Sequence, residues 1–214
     1  VDRKAGERTL LASVLLSSPG PIVLGIGLFF GRASTQLADF VRRTAELLAV
    51  VVSWAVFRIL RKGGRVGEAR KEKLERLAGL SVGGAMCLSG AAMLFIPILS
   101  RSTEKGNVAF GLVISFLGAV TNTWFALRYH KLNRQSPDPI LAAQRKLYFA
   151  KTLVDVCVTG ALAVVAFAPG LPAANFVDLG GTLVVAVYLI ASGIAAVRSC
   201  GEKSLERAGL GSRR

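Results

Sequence analysis

Long apolar runs, separated by short polar and mostly basic stretches, dominate the chain. Six of them approach the roughly 20 residues that a helix needs to cross a bilayer core: residues 9–31, 37–57, 77–99, 108–127, 147–168 and 175–197. The first is interrupted by Pro19-Gly20-Pro21, a break that a membrane helix tolerates only where neighbours satisfy the freed backbone groups. The fifth has an amphipathic lead-in from Ile140 that carries Gln144, Arg145 and Lys146, and it exits through Pro169-Gly170-Leu171-Pro172, a tight-turn sequence. The pattern predicts an all-α protein: a six-helix transmembrane bundle over residues 1–199, then a short basic tail at 200–214, with no C-terminal soluble domain. The first run is too long, and too closely followed by others, to be a cleaved signal peptide.

Composition sharpens this picture. Hydrophobic residues make up 52 % of the 214 positions and charged ones 19 %, yet the formal net charge is +14. A soluble core of this size cannot hide so much apolar surface, so lipid is the economical solvent. The charge is also unevenly placed. All but six of the 27 lysines and arginines fall in the amino-terminal flank, in the loops after the second and fourth spans, or beyond the sixth. By the positive-inside rule that side, and both termini with it, is cytoplasmic. The basic loops orient the chain and touch anionic headgroups. No interleaving of aromatic and basic residues accompanies them, so nucleic acid is not an expected partner.

Three of the six exceptions, Arg32, Arg101 and Lys105, lie on the opposite side. The other three, Arg42, Arg43 and Lys151, lie within or at the edge of apolar spans. Asp39 and Glu46 share the second span with the arginines, and Asp155 shares the fifth with Lys151. An ionisable group at mid-membrane costs about 2.5–3.5 kcal/mol on insertion scales, and such groups face the bundle interior, pair, and mark pathways. Arg42 and Glu46 are four residues apart, as are Lys151 and Asp155, so each pair can share a helical face. If the second and fifth helices are neighbours, the four groups form an internal quartet of zero net charge.

The stretch Leu37-Ala38-Asp39-Phe40-Val41-Arg42-Arg43-Thr44-Ala45-Glu46 resembles the second-helix motif of the cation diffusion facilitators, Leu-Ala-Asp-x-x-His-x-x-x-Asp. Lys73-Leu74-Glu75-Arg76-Leu77-Ala78-Gly79-Leu80 is similar to that family's lead-in to the third helix. Lys151-Thr152-Leu153-Val154-Asp155 sits where a fifth-helix His-x-x-x-Asp belongs, and Asn175-Phe176-Val177-Asp178-Leu179-Gly180-Gly181 resembles the start of the sixth helix. The resemblance runs from about Ser34 to Val197 and implies a secondary transporter that moves a divalent cation. It also implies a homodimer held by membrane helices, and the expected location is the plasma membrane of a bacterium or archaeon.

Carried over residue by residue, the family's four metal ligands fall on Arg42, Glu46, Lys151 and Asp155. Arginine offers no lone pair, and a protonated lysine repels a dication. Of the usual donors, only Glu46 and Asp155 remain for a metal that wants four. The acid that precedes the fifth-helix His by three in the family is Tyr148 here. Two readings follow. In one, Glu46, Asp155, Lys151 and Arg42, with Asp39 at the outer mouth, form a transport pathway for a cation, or for another small substrate given the altered site, with proton exchange; in the other, the quartet is a structural salt bridge of a non-transporting scaffold or regulatory subunit.

Other residues carry simpler expectations. Thr121-Asn122-Thr123 either lines a polar path or bonds to neighbouring helices. Gly79, Gly83 and Gly90 mark close helix packing or a dimer contact. His130 reads as an interfacial histidine, and Cys87, Met86 and Met93 as packing. The cysteines form no CxxC, and no hydrolase, nucleotide or metalloprotease motif occurs, so neither an enzyme nor a bound cofactor is expected.

Overall fold

The computed structural model describes residues 3–30, 34–62, 67–99, 108–167 and 173–211. The segments that carry Arg32, Arg101, Lys105 and the Pro169–Pro172 turn, and the side chains of Asn175, Asp178, Lys203 and Arg207, lie outside the described residues. Among those described, every regular element is a helix: α1 (Arg3–Ser17), α2 (Pro19–Phe30), α3 (Ser34–Lys62), α4 (Glu68–Leu99), α5 (Val108–Gln135), α6 (Pro139–Phe167) and α7 (Ala173–Gly211). α1 and α2 together form the first span. Pro19 has no N–H to give, so α1 closes one residue earlier, where the Ser18 amide and hydroxyl both donate to the Val14 carbonyl at 3.0 and 2.6 Å.

The start of α6 follows from Asp138-Pro139. The Asp138 carboxylate accepts from the amides of Ile140 and Leu141 at 2.8 and 3.3 Å, and Pro139 fills the first helical position, where a missing donor costs nothing. α6 is therefore continuous from its amphipathic lead-in through the membrane. The helices also run past the spans on the basic side. α4 begins well before residue 77, α5 continues beyond 127, and α7 continues to Gly211 rather than stopping at the expected tail. Leucine, glutamate, arginine and alanine dominate residues 202–208, and these are good helix formers.

Among the described residues, four stretches, Lys4–Leu28, Glu68–Ile96, Pro139–Val164 and Gly180–Gly201, are long and apolar enough to cross a membrane by length and composition. α3 carries Asp39, Arg42, Arg43 and Glu46, and α5 carries Thr121-Asn122-Thr123. They are the two helices that flank α6 at the charged centre. Around the outside, large apolar side chains such as Leu15, Ile26, Leu117, Val184 and Val187 are exposed, as a lipid-facing surface requires. The interior is filled by Leu10, Val50, Val82, Met86, Phe125, Tyr129, Tyr148 and Leu189.

α3 packs along α4, α4 along α7, and α5 along α6; α1 and α2 lie on α3, and α3 meets α6 over a shorter contact. The α4–α7 approach is close enough to require glycine. A Cβ at Gly193 would sit 2.6 Å from Cys87 Sγ and 2.7 Å from the Gly83 carbonyl oxygen, and one at Gly90 would sit 2.8 Å from the Ala186 carbonyl oxygen. Gly79 faces Cys200 in the same way. Gly79, Gly83 and Gly90 thus face α7 of their own chain, and the close approach they permit is intramolecular.

Candidate transport site

α3 presents Asp39, Arg42, Arg43 and Glu46 within two helical turns, and α6 presents Lys151 and Asp155 one turn apart. The contact between α3 and α6 brings all six charges together. Arg42 donates Nε and Nη2 to Asp39 Oδ1 at 3.0 and 2.6 Å, and Arg43 Nε donates to Asp39 Oδ2 at 2.7 Å. On its inner side Arg42 reaches Asp155 Oδ1 at 3.5 Å through Nη2 and Glu46 Oε1 at 3.7 Å through Nη1. Lys151 Nζ lies 3.5 Å from Glu46 Oε2 and 4.8 Å from the centre of the Tyr148 ring. Three cations face three anions.

The strongest cross-helix pairs are therefore Arg42 with Asp155 and Lys151 with Glu46. The spacing puts each base and acid on one helical face, and Arg42 also keeps its intrahelical contact with Glu46 at 3.7 Å. A base placed one turn before an acid is the less favourable order for an intrahelical pair, and both cationic side chains are long enough to reach the opposite helix. The burial is graded. Arg42, Glu46, Lys151 and Asp155 are 1–6 % exposed, whereas the Asp39 side chain is 30 % exposed and that of Arg43 18 %. Asp39 and Arg43 are the partly exposed members of the cluster, and the quartet is its buried part.

The two buried acids are held differently. Asn122 Nδ2 donates to Asp155 Oδ2 at 2.6 Å. Glu46 has ion pairs at both oxygens but a hydrogen bond at neither. Burying an ion is costly, and attraction repays it only where the remaining acceptor sites are also satisfied. Glu46 is thus the less well compensated carboxylate of the pair. Asn122 makes the bond to a neighbouring helix that the sequence allows for it, while the contact of the Tyr148 ring with Lys151 has no counterpart in the sequence pattern. The available signal for Asn122 was a lone amide in an apolar span.

The remaining candidates lie elsewhere. Arg145 Nη1 approaches His130 Nδ1 at 3.3 Å on the exposed surface. Cys87 lies against Ile190 of α7, Met86 is buried in the core, and Met93 packs against that core. Among the described residues, no group of three or more His, Cys, Asp or Glu side chains is placed to hold a metal ion.

An all-α bundle with lipid-facing apolar surfaces and a buried ionised centre defines an integral, multi-pass membrane protein. Residues 10–202 match the family model of the cation efflux transmembrane domain, and the chain belongs to that family. No curated protein matches the sequence.

Proposed function

We propose that the chain is a secondary transporter that moves a cation between α3 and α6 in exchange for a proton. The observation that carries this reading is Glu46: buried, charged, paired with Lys151 at 3.5 Å, yet without a hydrogen bond at either oxygen. A lysine can give up its proton and then offers a lone pair, whereas arginine stays charged at every usable pH. Loss of the Lys151 proton would free Glu46 and Asp155 for an incoming cation and add the neutral amine as a third donor. Arg42, anchored by Asp39, remains as the fixed counter-charge. Substrate loading is then tied to proton departure.

The resemblance adds a homodimer in a bacterial or archaeal plasma membrane. Such a dimer would use membrane-facing surface other than the glycines already packed against α7. The near-complete burial of the quartet favours the second reading, in which the ion pairs fix helix packing in a non-transporting scaffold or regulatory subunit.

Flux into proteoliposomes across a panel of monovalent and divalent cations, with and without a pH gradient, separates the two. Transport predicts gradient-dependent uptake of at least one cation that disappears in Glu46→Gln and in Asp155→Asn while both variants stay folded. Absence of flux for every cation, together with unfolding of both variants, assigns the quartet to structure alone.

A further inference from the structure

α3 and α6 run antiparallel, and their polar contacts fall on one register. Arg42 meets Asp155; one turn further along α3, Glu46 meets Lys151, one turn back along α6. Continuing two turns in the same directions leads to Ser53 and Gln144, where the Gln144 amide Nε2 donates to Ser53 Oγ at 2.7 Å. This pair therefore lies on the same helix faces as the quartet, roughly 10 Å nearer the basic ends of both helices. Arg58, Arg61 and Lys62 follow Ser53 in α3, and Arg145 and Lys146 follow Gln144 in α6.

Ser53 and Gln144 are completely buried. The register places Val50 and Leu147 between them and the quartet, and Val56 and Leu141 on their other side; all four belong to the apolar core. Gln144 Oε1 has no hydrogen-bond partner among the described residues. Its neighbour Arg145 is turned away, toward His130 on the exposed surface. A buried acceptor left unpaired costs its full desolvation, so two apolar side chains would hold the helices together at least as well. What this pair offers instead is two neutral oxygens on facing side chains, an amide carbonyl and a hydroxyl. Such oxygens replace water around a hard cation. Because both are neutral, they hold it weakly enough to let it leave.

Building on the α3–α6 pathway proposed above, we propose that Ser53 and Gln144 form a second cation station, two turns to the basic side of the quartet. Gln144 Oε1 and Ser53 Oγ take the place of part of the water around a hard cation on its way to or from the charged centre. The Gln144–Ser53 hydrogen bond closes the seam at this level, and the helices part there when a cation passes.

Cysteine accessibility reads this without any flux. The full chain, with Cys87, Cys157 and Cys200 replaced by alanine, is held in lipid nanodiscs that leave both faces open. Ser53→Cys and Gln144→Cys are treated with a small, charged methanethiosulfonate reagent, and Leu48→Cys, on the exposed apolar surface, serves as the lipid-facing control. Both seam cysteines should react at least about 10-fold faster than the control, because the charged reagent reaches only thiols that meet water. Manganese is the cation probe, since it prefers oxygen ligands and binds thiolates weakly. Millimolar manganese should slow labelling of Ser53→Cys several-fold while Gln144 is present, and should have no effect in Ser53→Cys, Gln144→Leu. The mirror measurement on Gln144→Cys, with and without Ser53→Ala, serves if Ser53→Cys does not give monodisperse, helical protein. Seam cysteines as unreactive as the control would make the pair helix glue and overturn the proposal. Labelling that manganese does not slow would leave a wet seam without a cation station, and overturns it equally. Manganese-protected labelling without flux of any cation would defeat the exchange reading alone, and flux with unreactive seam cysteines would defeat this one alone.

Discussion

At the scale of single residues, Arg42 and Lys151 decide what the centre can bind. They stand at two of the four positions where the family resemblance expects metal donors, and they neutralise the two acids that remain. The charges meet across the helix seam, Arg42 with Asp155 at 3.5 Å and Lys151 with Glu46 at 3.5 Å. Replacing both cations by donors should reverse this. The double variant Arg42→His, Lys151→His removes two positive charges and offers four neutral or anionic donors, the number that tetrahedral zinc requires. Zinc should raise its melting temperature and leave that of the parent unchanged. Saturation at about 100 times the dissociation constant adds about 2.7 kcal/mol to stability. Thermal unfolding in detergent with and without zinc measures the difference, and equal stabilisation of the two proteins would contradict the role given to the cations.

At the scale of elements, the contact between α4 and α7 sets how tightly the bundle closes behind the site. The Gly193 backbone meets Cys87 and Gly83 so closely that no Cβ fits, whereas nothing lies within 4 Å of a Cβ at Gly84. Gly193→Ala should therefore destabilise by about 1–3 kcal/mol through overpacking. Gly84→Ala should be neutral or stabilising by up to about 1 kcal/mol, because alanine is the better helix former. A matched pair of thermal melts tests both. The sequence marked Gly79, Gly83 and Gly90 as a packing stripe, since small residues at helical spacing are visible in one dimension. It did not say what they pack against: the partner stripe on α7, with Ala186 and Gly193, looks like any apolar helix face. The break at Pro19 was legible for the opposite reason, because proline chemistry acts within a few residues.

At the scale of the whole molecule, segment lengths and the side on which the charges fall carry most of the architecture. Apolar runs of bilayer length predict the helices, and the broken first run predicts the α1–α2 discontinuity. The ends were less legible, since α4, α5 and α7 continue past the apolar runs in sequence that is polar but strongly helical. The ionised residues of the quartet were legible as misfits in apolar spans. Their pairing across helices, and the hydrogen bond from Asn122 to Asp155, depend on tertiary packing that spacing does not encode. The charge distribution makes a direct prediction of orientation. In intact cells an impermeant maleimide should label Lys105→Cys from outside, and should reach Lys71→Cys only after the membrane is opened. The reverse order would invert the topology and place the Asp39 mouth on the cytoplasmic side.

The central claim is that a cation loads only as Lys151 gives up its proton. Lys151→Arg tests this most directly, because it keeps the positive charge and the reach to Glu46 but removes the exchangeable proton. Cation flux into proteoliposomes under a pH gradient, measured side by side, should be present in the parent protein and at least about 10-fold lower in the variant, a barrier change of about 1.4 kcal/mol or more. The variant should remain folded, with unchanged helical content. Flux in Lys151→Arg equal to that of the parent, or no flux in the parent for any cation, would contradict the account.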